Sequence, residues 1–262
     1  MNPIVGLMAT RPREAALKCM SIPSIARQTR SLDALVIVTD RCRLAASTEN
    51  ELQALLPSIR IHNIPNSHIQ GVAGAWNTGL SFIHQHWPKA YVAILDDDDA
   101  WDADHLATCS DLAEQNDLPD VVMSGLRLNK AGATLIRPPL ITLAVDDFLV
   151  GNPGWQGSNT FATIGSLLNA GGFSNGLISC NDRDLAIRML SLPDIRISYT
   201  GKFTATWNLN ASADSLSQVG PQKQESLRRF LAIHGHRMSP KVKQGFFQRC
   251  MDLFGVSEGD LT

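Results

Sequence analysis

The sequence has 262 residues, of which 44% are hydrophobic and 18% are charged. A chain of this length and composition can bury a core large enough to fold without disulfides or a structural metal. Its formal charge of −2 gives no electrostatic case for nucleic acid as the main partner.

The cysteines and the N-terminus indicate the cellular compartment. The five cysteines are scattered, odd in number and not in C-x-x-C spacing, which predicts reduced, mostly buried thiols. The N-terminal apolar run is short and is followed by Arg11 and Arg13, unlike a signal peptide. No apolar run approaches the about 18 residues that span a bilayer. The sequence therefore predicts a soluble, cytoplasmic protein.

In the first half of the chain, short apolar strands alternate with helices. The predicted strands are Pro3–Ala9, Leu35–Val38, Ile59–Ile64, Tyr91–Leu95 and Val121–Met123. The predicted helices are Arg13–Arg27, Ser47–Leu56, Gly71–His86 and Ala103–Gln115. The first is expected to bend at Pro23, and Ser47 is expected to cap the second. This alternation is typical of βαβ units and predicts an α/β fold with a mostly parallel sheet flanked by helices.

The pattern changes after Leu126. The predicted features are a hairpin turn at Asn129–Gly132, a Gly-rich loop at Gly151–Gly157, a helix at Cys180–Leu190, strands at Ile195–Tyr199 and Lys202–Thr206, and a basic helical region from about Gln222 onward. The sequence contains no internal repeat.

The stretch "ILDDDDAW" carries the strongest chemical signal. Four carboxylates, Asp96–Asp99, follow the most apolar predicted strand. Two unit charges about 4 Å apart repel by roughly 4 kcal/mol at an effective dielectric near 20, and a cation between them offsets that repulsion. Short carboxylates suit Mg²⁺ or Mn²⁺, whose open positions phosphate oxygens can fill. In parallel sheets, ligands bind beyond the carboxyl ends of the strands, which places Asp40 in the same crevice.

The alternative interpretation is a solvated acidic turn, in which Asp102 and Asp104 cap the next helix. A solvated turn does not need to end the central strand, so the position favours the metal site.

Several segments are similar to glycosyltransferase family 2, whose members have the GT-A fold. "AILDDDDAWDADHL" resembles the family's D-x-D segment, and "SIPSIARQTRSLDALVIVTD" resembles its S-l-x-x-Q-t helix and Asp-ending strand. "GVAGAWNTGL" resembles G-x-x-x-A-x-N-x-G, "NAGGFSNGLISCNDRDLAIRML" resembles G-G-F…E-D-x-D-L-x-x-R, and "TWNLNASADSLS" resembles y-r-x-h-x-x-s-x-S. The segments occur in family order over about Pro3–Ser217.

The resemblance implies a nucleotide-binding set. Asp40 would accept a hydrogen bond from the nucleotide base, and the alternative is a cap or turn residue. Thr10 and Arg11 would flank the base or the phosphates. Asn77 and Gly74 occupy positions where the family approaches the nucleotide, and the alternative is ordinary helix-entry chemistry.

The D-x-D segment implies contacts to the donor sugar and the metal. Asp96 would contact ribose or the sugar. Asp98 would coordinate Mn²⁺ or Mg²⁺, with Asp99 acting on the metal indirectly, behind Asp98 or through a water molecule. Asp97 stands at the variable position of the motif and has no assigned role, although it falls within the donor-binding set.

Asp182 matches the aspartate of the family's E-D pair, the general base of an inverting transfer. Its alternatives are a first-turn helix carboxylate, favoured by the helix dipole, or Asp184 as the base. Asn181 replaces the Glu of the pair, and Asn210 stands where some members have a metal- or phosphate-binding histidine. These two departures leave the strength of metal binding and the acceptor contacts open.

The resemblance predicts a metal-assisted transferase that moves a sugar from a nucleotide-diphosphate donor to an unknown acceptor, which is a saccharide, a lipid-linked molecule, a small molecule or a peptide. The alternatives are a nucleotidyltransferase, disfavoured because "GLMATRPREAALK" lacks a glycine cluster, and a degenerate GT-A domain that binds without turnover. Residues 1–125 would form the nucleotide-sugar-binding half of one GT-A domain, 126–221 its acceptor half, and 222–262 a C-terminal helical extension.

The remaining features lie outside the matched motifs or at their edges. Trp155 would stack on a sugar or anchor the core. Pairs of histidines at i, i+2, such as His234 and His236, predict surface positions. Ser212–Gln222 predicts a mobile loop over the donor. The basic C-terminal helices predict weak association with an anionic membrane surface, and Phe246 and Phe247 would pack on the core or in a homodimer.

Overall fold

The structure is a computed structural model that describes residues 2–130, 132–136, 140–209 and 219–262. The strands are β1 (Ile4–Thr10), β2 (Ala34–Thr39), β3 (Arg60–Pro65), β4 (Tyr91–Ile94), β5 (Ala100–Trp101), β6 (Val121–Lys130), β7 (Ala133–Ile136), β8 (Thr160–Thr163) and β9 (Ile197–Leu209). They form one sheet in the order β3-β2-β1-β4-β8-β6-β9-β5, with β7 paired to β6.

The helices cover both faces of this sheet. They are α1 (Glu14–Ala16), α2 (Ile22–Ala26), α3 (Ala46–Leu55), α4 (Val72–His86), α5 (His105–Gln115), α6 (Val145–Val150), α7 (Ile164–Asn169), α8 (Asn181–Leu190), α9 (Pro221–His234) and α10 (Pro240–Phe254). A π-helical segment, Leu17–Ser21, joins α1 to α2, and Pro23 lies in the first turn of α2, where a missing N–H is tolerated. No described helix is both long and apolar enough to cross a membrane.

The sheet is mostly parallel, as predicted. Strand β1 lies between β2 and β4, so that Leu7 pairs with Val36 on one side and with Ile94 on the other. Every residue of β1 and β2 is buried, which explains why these strands read as continuous apolar runs. Alternate residues of β1 enter two cores: Val5 and Leu7 face one, and Ile4 and Met8 face the other.

The second half of the sheet differs from the predicted pattern. Strand β8 runs antiparallel between β4 and β6, so the fifth predicted strand is not a neighbour of the fourth. The two predicted strands within 195–206 form one strand, β9, parallel to β6. The predicted hairpin turn is confirmed, because Lys130 pairs with Ala133 across β6 and β7.

The C-terminal helices belong to the core. Phe246 of α10 is fully buried, and its ring lies 6.0 Å from that of Phe230 on α9. The core alternative predicted for Phe246 is therefore the one observed.

Two local predictions are wrong. Helix α3 begins at Ala46, and its N-cap residue Ala45 makes no side-chain cap; instead Glu14 accepts hydrogen bonds from the Ala45 N–H and the Thr48 hydroxyl. The thiols are also less buried than expected: Cys109 and Cys250 are buried, Cys180 is half-buried, and Cys19 and Cys42 are exposed. All five thiols are free.

A glycine allows the close approach of a loop to the first turn of α4. A Cβ at Gly74 would overlap the carbonyl oxygen of Ile69, which accepts a hydrogen bond from Asn66. The backbone that approaches Gly74 is thus the chain's own, and this contact fixes the loop that leads into α4.

We expect Gly74→Ala to displace this loop and to lower the free energy of unfolding by about 1–3 kcal/mol, measured by denaturant unfolding. The matched control is Gly165→Ala in α7, where a Cβ meets nothing within 4 Å. That variant should be neutral or more stable by up to about 1 kcal/mol. Equal destabilisation of the two variants would contradict the packing described for Gly74.

Candidate active site

The carboxyl ends of three parallel strands meet at one edge of the sheet. The N–H of Asp40, just after β2, donates to the Thr10 carbonyl at the end of β1, at 2.8 Å. The N–H of Leu95, just after β4, donates to the Leu7 carbonyl at 3.1 Å. Strands β2 and β3 lie on one side of β1, and β4 lies on the other side. This reversal of strand order opens a crevice at the carboxyl edge of the sheet.

A cleft of about 1040 Å³ occupies this crevice. The predicted site residues that line it are Thr10, Arg11, Asp40, Asp96, Asp97, Asp98 and Asp182. The solvated-turn alternative does not fit, because Asp97 and Asp99 are buried and Asp104, at the N-cap of α5, makes no side-chain cap. The acidic run therefore faces a cleft that it shares with Asp40 and Asp182.

Arg13, just before α1, neutralises part of the acidic run. Its Nε donates to Asp97 Oδ2 at 3.0 Å, its Nη2 pairs with Asp97 Oδ1, and its Nη1 donates to Asp98 Oδ2 at 2.8 Å. Thr10 donates its hydroxyl to Asp97 Oδ2 at 2.5 Å. Burial raises the pKa of Asp97, and the charge of Arg13 opposes that rise. The sequence analysis missed this role of Arg13.

Asp97 and Asp99 are held by contacts within the protein. Both oxygens of Asp97 are engaged by Arg13 and Thr10, so Asp97 holds the run in place, although it also lines the cleft. Asp99 accepts from the Ser158 hydroxyl at 2.5 Å and from the Asn208 N–H at 2.8 Å. It is 1% exposed and is not among the residues that line the cleft, so it fits an indirect role and not direct coordination of a metal.

Asp96 and Asp98 line the cleft with carboxylate oxygens that no described residue engages: both oxygens of Asp96, and Oδ1 of Asp98. No described residue donates a hydrogen bond to the Asp96 carboxylate, and its N–H donates to the Ser158 hydroxyl at 3.1 Å. Burial, followed by the charges of Asp99 and Asp182, raises the pKa of Asp96 well above its usual value. A cation beside it would relieve this cost.

The carboxylates fit a divalent cation only if a substrate shares its coordination. Within the described ranges, no three His, Cys, Asp or Glu side chains converge on a point that could hold a metal. Mg²⁺ is often bound by one or two carboxylates together with substrate phosphates. Asp96 and Asp98 fit this shared mode of metal binding.

Asp182 lies in the first turn of α8, and Asp184 lies two residues further on. Burial raises the pKa of Asp182 to about 7, although a hydrogen bond from the Gly157 N–H and the charge of Lys223 oppose the rise. A carboxylate with this pKa can accept a proton near neutral pH. Asp182 lines the same cleft as Asp96 and Asp98.

Asp184 is excluded as the rival base. It is fully buried, and it accepts from Arg188 Nη2 at 2.6 Å and lies 2.9 Å from His234 Nε2. Burial raises the pKa of Asp184, but the hydrogen bonds from His234 and Arg188 outweigh burial and lower it to about 2. The surface position predicted for His234 is wrong, whereas His236 is exposed as predicted.

Asp40 has contacts typical of a turn residue as well as a place in the cleft. Its Oδ1 accepts from Asn66 Nδ2 at 2.8 Å and its Oδ2 from the Gly71 N–H at 3.1 Å. A carboxylate has about four acceptor positions, so these bonds leave room for a nucleotide base. Thr10 and Arg11 line the same end of the cleft.

Two residues proposed to face the ligand have structural contacts instead. The side chain of Asn77 donates to the Phe173 carbonyl and accepts from the Phe173 N–H, both at 2.8 Å, and it does not line the cleft. Trp155 is fully buried and donates to Thr160 Oγ1 at 2.8 Å, which is the core alternative. Asn210 and residues 212–218 of the predicted loop lie outside the described residues.

Sequence reasoning missed other cleft residues. Trp76 Nε1 and Asn181 Oδ1 are buried and have no hydrogen-bond partner within the described part of the chain, although both side chains line the cleft. Asn208 ties the acidic run to β9 by donating to the Asp98 carbonyl at 2.8 Å. All three residues lie inside segments that resemble the family, "AWN", "CND" and "TWNLN", but the resemblance assigned none of them a contact in the cleft.

Residues 20–167 match the sequence profile of Glycosyl transferase family 2. The match covers more than half of the chain, so the chain belongs to this family, as the motifs predicted. The matched range contains the acidic run but ends before Asp182. No curated protein has a significant sequence match to the chain.

Solved structures share the fold. S. aureus TarS 1-349 in complex with UDP-GlcNAc has a TM-score of 0.69 at 14% identity, over 96% of this chain and 73% of that one. The mannosyltransferase PcManGT from Pyrobaculum calidifontis, in complex with GDP-Man and Mn²⁺, has a TM-score of 0.62 at 16% identity, over 94% and 68%. The chain spans 44% of the longer S. aureus TarS chain, at a TM-score of 0.67 and 12% identity. At these identities the likeness shows the fold, which confirms the predicted GT-A architecture.

We expect Arg13→Gln to lower the free energy of unfolding at neutral pH by about 1–3 kcal/mol, because Asp97 stays buried without its cation. Thermal and denaturant unfolding measure the change.

The matched control is Arg127→Gln. Arg127 pairs with Asp102 at 2.6 Å outside the cleft, and both side chains are about one-third exposed. Such pairs contribute about 0–1 kcal/mol. If the two substitutions cost the same, Arg13 does not have the neutralising role described here.

Proposed function

We propose that the chain transfers a sugar from a nucleotide-diphosphate donor to an acceptor hydroxyl, with inversion at the anomeric carbon. The observation that carries the proposal is the single cleft that Asp40, Asp96, Asp98 and Asp182 line. Family membership supports the reaction class. The complexes of TarS with UDP-GlcNAc and of PcManGT with GDP-Man support a nucleotide sugar as donor.

In this proposal the donor lies along the carboxyl edge of the sheet. Asp40 accepts a hydrogen bond from the base, with Thr10 and Arg11 beside it. Asp96 contacts ribose or the sugar. Asp96 and Asp98 would hold Mn²⁺ or Mg²⁺ together with the donor, and the metal would supply charge to offset that on the leaving diphosphate.

Asp182 performs the proton transfer. Its carboxylate takes the proton from the acceptor hydroxyl while that oxygen forms a bond to the anomeric carbon. The bond from this carbon to the diphosphate oxygen breaks, and its electron pair leaves with the nucleoside diphosphate. Attack on the face opposite the leaving group gives inversion.

Two other functions are tested by the same titration. Calorimetry with UDP, GDP and dTDP sugars, with and without Mn²⁺, is followed by an assay of donor hydrolysis. Metal-dependent binding with slow hydrolysis supports the transferase. Binding without hydrolysis, even with acceptors supplied, would indicate a degenerate binding domain. Turnover of a nucleoside triphosphate with a sugar phosphate would indicate a nucleotidyltransferase.

A cytoplasmic location and a weak membrane or homodimer association remain predictions from the sequence. We also propose that the chain divides into a donor half, an acceptor half and a C-terminal helical extension.

We expect Asp98→Ala to abolish metal-dependent donor binding, because Asp96 alone then offers a carboxylate to the cation. The control is Asp102→Ala, which removes a nearby carboxylate that pairs with Arg127 and does not line the cleft. Normal binding of donor and Mn²⁺ by Asp98→Ala would refute the metal assignment.

We expect Asp182→Asn to retain donor binding and to lose transfer by roughly 10²–10⁴-fold, the usual size of a general-base effect. In the native protein, kcat/KM should rise with pH through about 7, since Asp182 accepts a proton only when it is ionised. A flat profile, or unchanged turnover in the variant, would assign the base elsewhere.

The same substitution should change the pH dependence of stability. Because burial raises the folded-state pKa of Asp182, the folded protein binds a proton that the unfolded chain releases, and stability falls as pH rises from about 4 to about 7. Asp182→Asn removes this loss, so above about pH 8 the variant should be more stable by roughly 1–4 kcal/mol. A less stable variant at that pH would contradict the raised pKa.

A further inference from the structure

Four cationic side chains line the part of the cleft formed by the helices that follow β8, and one of them, Arg229, pairs with Glu225 at 2.8 Å. The other three belong to three different helices. Arg183 belongs to α8, Lys223 to α9 and Arg249 to α10. We call these three residues the basic trio. They lie in the same cleft as Asp182, which is adjacent to Arg183 in the first turn of α8.

Arg183 is held rigidly at the base of the trio. Its Nε and Nη2 donate to the Phe148 carbonyl at 3.0 and 2.9 Å, and its guanidinium lies 4.1 Å above the ring of Phe230. The residue is 8% exposed. Its Nη1 has a single contact among the described residues, with the Cys180 thiol at 3.9 Å, so this N–H group is available to a ligand in the cleft.

The other two cations line the same part of the cleft as Arg183. Lys223 Nζ lies 3.3 Å from Ser179 Oγ and 4.8 Å from the ring of Phe254. The Arg249 guanidinium packs on Gly151, where an added Cβ would come within 2.5 Å of Nε. Arg183 Nη2 also donates to the Leu149 carbonyl at 3.1 Å, so Arg183 and Arg249 both contact the C-terminal end of α6.

Among the described residues, the trio has no ion-pair partner. No described carboxylate, including that of the neighbouring Asp182, forms an ion pair with any of its three members. Like charges that share a half-buried cleft repel, and a bound anion offsets that repulsion.

We propose that the basic trio binds a phosphate group carried by the acceptor, next to the hydroxyl that receives the sugar. Arginine and lysine side chains are the usual ligands of phosphate oxygens. The donor's own diphosphate has a separate place in the proposed function, beside Asp96 and Asp98, whereas the trio adjoins Asp182, where the acceptor hydroxyl must lie. The inference thus rests on the proposed function and names the acceptor class, a hydroxyl-bearing phosphate ester.

The experiment uses the full chain and glycerol 3-phosphate as the probe, with glycerol as the uncharged counterpart. Calorimetry measures binding with and without a saturating nucleoside diphosphate. We expect glycerol 3-phosphate to bind in both conditions and glycerol not to bind. Lys223→Gln and Arg249→Gln should each weaken probe binding by about tenfold, the size of one charge-assisted hydrogen bond. Lys241→Gln, an exposed basic residue of α10 outside the cleft, is the control and should leave binding unchanged.

Three results would overturn the proposal. The first is the absence of phosphate-dependent binding. The second is displacement of the probe by the nucleoside diphosphate, which would place the phosphate in the donor site. The third is unchanged probe binding in Lys223→Gln and Arg249→Gln. If the native protein binds glycerol 3-phosphate but binds no nucleotide, the proposed function is refuted and the phosphate site is supported.

A second arm identifies the source of the phosphate. Sedimentation with phosphatidylcholine vesicles, with and without phosphatidylglycerol, tests a lipid ester that carries alcohol hydroxyls. Binding that requires phosphatidylglycerol and is lost in Lys223→Gln and Arg249→Gln, but not in Lys241→Gln, assigns the phosphate to a lipid-linked acceptor. Probe binding without such vesicle binding assigns it to a water-soluble one.

Discussion

The repulsion among the four carboxylates after β4 is the constraint on which the site depends. Neighbouring groups compensate for it unevenly. Arg13 and Thr10 engage both oxygens of Asp97, and Ser158 and Asn208 engage both oxygens of Asp99. These contacts fix the backbone of the run, whereas Asp96 and Asp98 line the cleft with oxygens that no described residue engages. These two carboxylates are the ones suited to share a cation with a diphosphate.

Helix α8 shows how environment separates two similar carboxylates. Asp182 and Asp184 are two residues apart, yet burial raises the pKa of the first to about 7, whereas His234 and Arg188 hold that of the second at about 2. Groups whose pKa values are pushed apart in this way are typical of acid–base sites. Asp184 anchors α8 to α9, and this contact in turn keeps Asp182 in the cleft.

The sequence predicted the edge of the sheet and its acidic residues because these depend on local pattern. An apolar run followed by aspartates fixes where a parallel strand ends, so Asp40, Asp96 and Asp98 could be assigned to one crevice. It did not predict that β8 inserts between β4 and β6, since a short apolar run does not reveal its direction or its neighbours.

The sequence also did not predict which side chains from distant segments contact each other. Arg13 is separated from Asp97 by 84 positions, and nothing in "TRPRE" indicates that it reaches the acidic run. The spacing argument for His234 considered one helix alone and missed the packing of α9 on α8. Asn77 matched a family motif, but a motif does not distinguish a ligand contact from a bond to Phe173.

The most direct measurement is a crystal structure with a nucleoside diphosphate and Mn²⁺ bound. The account predicts the base beside Asp40, the pyrophosphate and the ion at Asp96 and Asp98, and an open path from the terminal phosphate to Asp182. A nucleotide seated outside this cleft, or a pyrophosphate remote from Asp96 and Asp98, would contradict it.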